Sequence, residues 1–240
     1  MTLQGRPTLG ILELDEGLLP DSHEQEPRDG ALLNPATFAT PIITEMVEGA
    51  LAETVIRGDP SLEIACVAAA ARLVERGADV IAGDCGFLIR HQKAVAAAVN
   101  VPVIMSSLLL VPTLLRQLGP EKKLAVITAD SGYCTEDLLN IDNRADRARV
   151  VVAGIEGGVY VANAVARPFV RTAVEQIEKE VGGCIAQLRA KHPEIGALLF
   201  ECTGFPVVTR ALRSTTGLPI YDITDICRLA LGTVTGTRSL

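Results

Sequence analysis

Two short stretches of the chain carry residue types that can move a proton: IAGDCGFLI, Ile81 to Ile89, and LLFECTGFP, Leu198 to Pro206. In each, an apolar run ends in an acid (Asp84 or Glu201) and a cysteine (Cys85 or Cys202), with a glycine close by before apolar residues resume. An ordinary thiol has a pKa of about 8.5. Modest tuning therefore leaves one thiol ionised and another protonated near neutral pH. Two such groups on opposite sides of one carbon suit removal of a proton from one face and delivery to the other. A single cysteine would read as core filling. A thiol where a strand turns into a helix instead meets the free N–H groups and positive end of the dipole, which favour the thiolate. The carbanion would be held by backbone N–H groups at the two helix starts, and Gly86 and Gly204 let that backbone come close. The acids Asp84 and Glu201 are either tuning groups or salt-bridged structural carboxylates. A Cys–His hydrolase is disfavoured. His91 lies six residues past Cys85 and off its helix face, His23 is in a loop, and His192 precedes the second strand at its far end.

The elements that must position these thiols alternate. Apolar runs TLGILEL, ADVIAG, VPVIM, KLAVITA, ARVVVAG, IGALLF and LPIYD read as strands, with helical patterns between most of them. The alternation predicts an α/β fold with parallel sheet, in which ligands bind at the carboxyl ends of strands. Asp59 to Gly77 reads as a helix with Asp59 as N-cap, Pro60 in its first position and Cys66 on its apolar stripe. Asp15 to Thr40 is polar and without helical period, a candidate lid, binding loop or disordered segment. The cysteine units repeat: Cys85 to Pro102 and Cys202 to Pro219 each span 17 positions, and the halves overlay without a gap at an offset of 117 residues. The expected architecture is two similar lobes with parallel sheets, related by a pseudo-twofold axis, with the active site in the cleft between them. One lobe takes residues 1–105 plus 222–240 and carries Cys85, and the other takes residues 106–221 and carries Cys202.

Composition narrows the classes. Of 240 residues 48% are hydrophobic but only 3% aromatic, with no Trp, as expected for Ala-rich helices on buried parallel strands. Net charge is −7 with no basic run, which argues against a nucleic-acid partner. The longest apolar stretch, Val101 to Leu115, is short and interrupted by prolines and serines, which argues against a membrane span. The N-terminus lacks a signal-peptide pattern. Six cysteines without a Cys-x-x-Cys pair read as thiols of a cytoplasmic protein, with neither a disulfide framework nor structural zinc. Cys134, Cys184 and Cys227 have no counterpart in the repeat and read as packing residues. GIEGGVY, Gly154 to Tyr160, lacks the spacing of a dinucleotide fingerprint.

At these residues the chain resembles the aspartate/glutamate racemase superfamily, which includes glutamate, aspartate and hydantoin racemases, maleate isomerase and arylmalonate decarboxylase. The likeness covers the first strand, both cysteine units and LAVITADSGY between them. It implies two Rossmann-like lobes, a cleft between them and no cofactor. It also implies paired acid/base roles for Cys85 and Cys202, and a substrate-carboxylate contact at Thr203. Thr128 and Ser131, at the matching strand end, are further candidates. So are Gly86 and Phe87 in the first cysteine motif, Gly204 in the second, and Asn34 and Thr37 in LNPATF; ordinary turn and capping chemistry is the other reading of the last two. Glutamate racemases carry Cys-Asn-Thr and Cys-Thr-His here. Gly86 and Gly204 replace the Asn and His, so recognition of a free amino group is not expected and the substrate side chain stays open.

The resulting expectation is a cofactor-independent racemase or epimerase of a small amino-acid- or hydantoin-like carboxylate, forming a homodimer by family habit. The alternatives are a non-catalytic two-lobed small-molecule binding protein, a cis-trans isomerase, or a decarboxylase or lyase that uses one thiol.

Overall fold

The computed structural model describes residues 5–16 and 27–235, and the chain divides into two compact units, residues 1–106 with 224–240 and residues 107–223. His23 and the middle of the polar stretch lie outside the described residues.

The first unit runs β1 (Leu9–Glu13), α1 (Pro35–Phe38), β2 (Ile42–Met46), α2 (Ala52–Arg57), α3 (Leu62–Glu75), β3 (Val80–Gly83), a 3-10 turn Gly86–His91 leading into α4 (Gln92–Ala98), and β4 (Val103–Ile104). Its strands are all parallel in the order β2-β1-β3-β4. The second unit runs from the 3-10 turn Ser107–Leu110 through α5 (Val111–Gln117), β5 (Lys123–Thr128), α6 (Arg144–Arg147), β6 (Val150–Gly154), α7 (Val159–Ala164), α8 (Val174–Lys191), β7 (Ile195–Phe200), α9 (Pro206–Thr216) and β8 (Ile220–Tyr221). Its order, β6-β5-β7-β8, again all parallel, is that of the first sheet. The last helix, α10 (Ile223–Leu231), returns the chain to the first unit.

The repeat holds at the level of single hydrogen bonds. Ile81 N–H donates to Pro102 O and Leu198 N–H to Pro219 O, both at 2.9 Å and both pairs 117 residues apart. After each strand comes a turn closed three residues on, Leu88 N–H to Cys85 O at 3.0 Å and Phe205 N–H to Cys202 O at 3.2 Å. Helix-to-strand ties occupy matching positions too. Gln92 bonds Val103 O and Met105 N–H, and Thr209, its counterpart, donates to Asp222.

Each core forms where the sequence is most apolar. In the first unit Leu9, Ile11, Leu12, Val80, Ile81 and Ala82 are fully buried, covered by Cys66, Ala69, Ala70 and Leu73 of α3. In the second, Ala125, Ile127, Leu198 and Phe200 pack with Val181 and Ile185 of α8 and Val208 of α9. Several local expectations change. The helix after Asp59 begins only at Leu62, because the Asp59 carboxylate takes the Ser61 N–H and makes a turn instead of a first helical residue. Among its described residues the polar stretch holds one short helix, α1. The edge strand β2 and helix α7 were not anticipated. For α8 the sequence leaves a long or a Gly-broken helix open, and it runs through Gly182-Gly183 without a break.

Burial predicts unequal mutational costs. Leu198→Ala is expected to lower unfolding stability by about 2–5 kcal/mol, as for other fully buried leucines. Ile64→Ala, on the exposed face of α3, should stay within about 0.5 kcal/mol. Denaturant unfolding of the two variants checks the contrast.

Candidate active site

Both questioned cysteines stand at the carboxyl end of a central strand. β3 stops at Gly83, and the Asp84 N–H makes a ladder-like bond to Leu12 O at 2.9 Å. Cys85 then adopts extended backbone and caps the turn Gly86–His91, with its side chain half-buried. In the second unit Glu201 N–H bonds Ile127 O at 2.9 Å, and half-buried Cys202 opens the turn into α9, where Pro206 fits the first helical position. The other thiols differ. Cys66, Cys134 and Cys227 are buried. Burial, helped by Glu63 and Glu156 respectively, pushes the Cys66 and Cys184 thiols up to about 11, so both stay protonated at neutral pH. Cys184 is tied to Gly154 O at 3.4 Å.

The two acids that precede the cysteines are handled differently. Glu201 is buried and accepts a hydrogen bond from the Thr128 hydroxyl at 2.8 Å. Burial pushes the Asp84 carboxyl well above its ordinary value, and the neighbouring carboxylates Glu13 and Glu16 push it further in the same direction.

Around Cys202 the structure adds a residue to which the sequence pattern does not point. The Tyr160 hydroxyl lies 3.3 Å from Cys202 Sγ. Tyr160 is on α7, at the end of the glycine-rich GIEGGVY, and its ring packs 5.5 Å from that of Phe205, which meets Phe200 edge-on. The start of α7 is held by Glu180 of α8, whose carboxylate accepts the Val159 and Tyr160 N–H groups at 2.8 and 3.1 Å and the Gln176 amide at 2.6 Å. Gly158 is required there, since a Cβ would lie 2.5 Å from the Glu180 carboxylate. The glycine-rich turn thus receives an internal carboxylate. Gly204 has a similar reason: a Cβ on it would stand 1.9 Å from the Tyr160 hydroxyl. A histidine at this position, as in glutamate racemases, is incompatible with Tyr160 where it lies.

The remaining candidates fall into place by their hydrogen bonds. Thr203 is buried beside Cys202, and Thr128 spends its one hydroxyl proton on Glu201. Ser131 engages Glu156 through both its N–H, at 3.2 Å, and its hydroxyl, at 2.6 Å. Gly86 and Phe87 are buried, with the Arg90 guanidinium 5.4 Å from the Phe87 ring centre. Asn34 caps α1 through the Ala36 N–H and donates to Arg28 O, while the Thr37 hydroxyl donates to Ala31 O at 2.8 Å. Arg228 of α10 fastens that segment by reaching Thr37 O and stacking on Phe38. Among the described residues no group of three or more His, Cys, Asp or Glu is arranged to hold a metal, and no helix is long and apolar enough to cross a membrane.

Known proteins place this geometry in a class. No protein-family model matches the chain. A variant of arylmalonate decarboxylase in a sulfate-associated form superposes with a TM-score of 0.58 at 21% identity, covering 95% of each chain. Aspartate racemase of Picrophilus torridus gives 0.57 at 15% identity, covering 94% of this chain and 92% of the other. Glutamate racemase of Francisella tularensis gives 0.55 at 14%, covering 95% and 80%. The chain shares the fold of arylmalonate decarboxylase and of these aspartate and glutamate racemases. In sequence, a dimethylsulfoniopropionate lyase of Durusdinium sp. clade D is 32% identical over 228 residues, covering 90% of this chain and 71% of that protein. Dimethylsulfoniopropionate lyase 3 of Emiliania huxleyi is 27% identical over 238 residues, and the chain spans 60% of its length. The chain belongs to the family of the Durusdinium dimethylsulfoniopropionate lyase. Its sequence relatives are therefore lyases, where the residues alone put a racemase first.

The state of Asp84 has a measurable consequence. An acid whose folded pKa is raised binds more protons folded than unfolded, so its contribution to stability falls as pH rises from its unfolded value through the raised folded one. Asp84→Asn is expected to be more stable than wild type at neutral and higher pH, with the difference closing as pH falls toward about 4, the ordinary carboxyl value. Urea midpoints of both proteins across that range test it, and a constant difference would contradict it.

Proposed function

We propose that this protein is a lyase that eliminates a neutral leaving group from the β-carbon of a small carboxylate, with dimethylsulfoniopropionate as the substrate class and Cys202 as the base. The observation that carries the reading is the 32% identity across 90% of the chain to a lyase of that substrate. Cys202, half-buried at a strand end beside a phenol, supplies chemistry that fits. The Cys202 thiolate takes the hydrogen on the carbon next to the carboxylate. The C–H electron pair becomes the double bond, the C–S bond to the sulfonium breaks, and its electrons stay on sulfur. Dimethyl sulfide leaves without needing a proton, acrylate remains, and the thiol returns its proton to water.

Cys85 enters the proposal as the second thiol, on its equivalent place at the end of β3. Its presence supports a second reading, a racemase or epimerase of a small carboxylate. The first step is then the same, but the carbanion is reprotonated on its other face, which requires a second acid. The two readings share the superfamily's proton removal beside a carboxylate and part at the fate of the released electron pair.

Incubation with dimethylsulfoniopropionate is expected to release dimethyl sulfide and acrylate in equal amounts. Cys202→Ser is expected to slow release by about a hundredfold or more, the usual contribution of a positioned acid or base. Cys85→Ser, which takes no step in the elimination, is expected to release sulfide at close to the wild-type rate, and a comparable loss there would show that the second thiol takes part. If no sulfide forms but chiral carboxylates exchange their α-hydrogen in deuterated water, the racemase reading replaces the lyase.

A further inference from the structure

Tyr160 lies 42 residues from Cys202 in sequence, and three independent features bring its hydroxyl to the sulfur. Glu180 fixes the start of α7 through two backbone N–H groups. Phe205 supports the ring. Gly204 leaves the space that the hydroxyl fills, where any side chain would collide with it.

The direction of the hydrogen bond follows from acidity. An ordinary phenol has a pKa of about 10 and an ordinary thiol about 8.5, so when the pair loses a proton it is the sulfur that ionises and the phenol that donates. A hydrogen bond to the charged form favours that form. We infer that Tyr160 is a positioning residue for Cys202, donating its O–H to the thiolate, and that Gly204 is the residue that admits it. The inference adds the group that readies the base, and its effect on turnover rests on the reading of Cys202 as that base. Its effect on the thiol does not.

The test is therefore made on the thiol, in the intact 240-residue chain without ligand. Iodoacetamide labelling of the Cys202 peptide is followed by mass spectrometry across pH for wild type, Tyr160→Phe, Gly204→Ala and the double variant. Tyr160→Phe is expected to raise the labelling midpoint of Cys202 by about one pH unit or more, with labelling below the midpoint slowed about tenfold. Gly204→Ala should produce the same direction of change by displacing the hydroxyl, and should add little in the Tyr160→Phe background. Labelling of Cys66 and Cys184 should be unchanged, and circular dichroism should confirm that each variant is folded. A midpoint that stays put or falls in Tyr160→Phe would overturn the inference, since the sulfur would then be without help from the phenol or be donating to it. If dimethylsulfoniopropionate is not cleaved by wild type but the midpoint shift is present, the lyase reading fails and the role of Tyr160 stands.

Discussion

The last backbone bond at the end of each central strand decides where the two candidate thiols sit. Asp84 N–H to Leu12 O and Glu201 N–H to Ile127 O, both at 2.9 Å, carry the parallel ladder one residue beyond β3 and β7. The chain must then leave the sheet, and in both units it does so through a tight turn closed back onto the cysteine carbonyl. A thiol placed one residue after the ladder ends is fixed by main-chain geometry on a rigid scaffold, with its side chain still half-buried.

The two strand ends share a backbone and differ in electrostatics. At the first, burial and the carboxylates Glu13 and Glu16 push the Asp84 carboxyl, next to Cys85, well above its ordinary value. At the second, Glu201 has the Thr128 hydroxyl as donor, and Cys202 has the Tyr160 hydroxyl. A duplicated fold with unlike surroundings is a natural setting for two thiols with unlike tasks. It also suits either of the two proposed outcomes, since a carbanion beside a carboxylate is reprotonated in a racemase and expels a leaving group in a lyase.

Much of this was legible in the chain because its information is local. Val80 to Gly83 and Ile195 to Phe200 are continuous apolar runs, and both are fully or almost fully buried strands. The 117-residue offset needed only the two Cys–Pro spacings. What escaped is tertiary. Strand β2 is a half-buried edge strand containing Thr44 and Glu45, with no apolar run or alternation to announce it. Helix α8 tolerates Gly182 because that residue packs against Leu212 of α9, with an added Cβ 3.3 Å from its side chain. The glycines of GIEGGVY lack a phosphate-binding spacing, and their use is visible only once Glu180 and Tyr160 are placed around them. Gly204 reads in the sequence as a change in substrate recognition, and its nearest reason is the phenol that fills its missing side chain.

The central claim is that a thiolate removes a hydrogen from the carbon beside a carboxylate and that bond cleavage at the next carbon follows. The most direct measurement is the initial rate of dimethyl sulfide release from dimethylsulfoniopropionate deuterated at the α-carbon, set against the unlabelled compound and one deuterated at the β-carbon. The account predicts release that is several-fold slower for the α-deuterated substrate and little changed for the β-deuterated one. Equal rates for the α-deuterated and unlabelled substrates, or no release from any of the three, would contradict it.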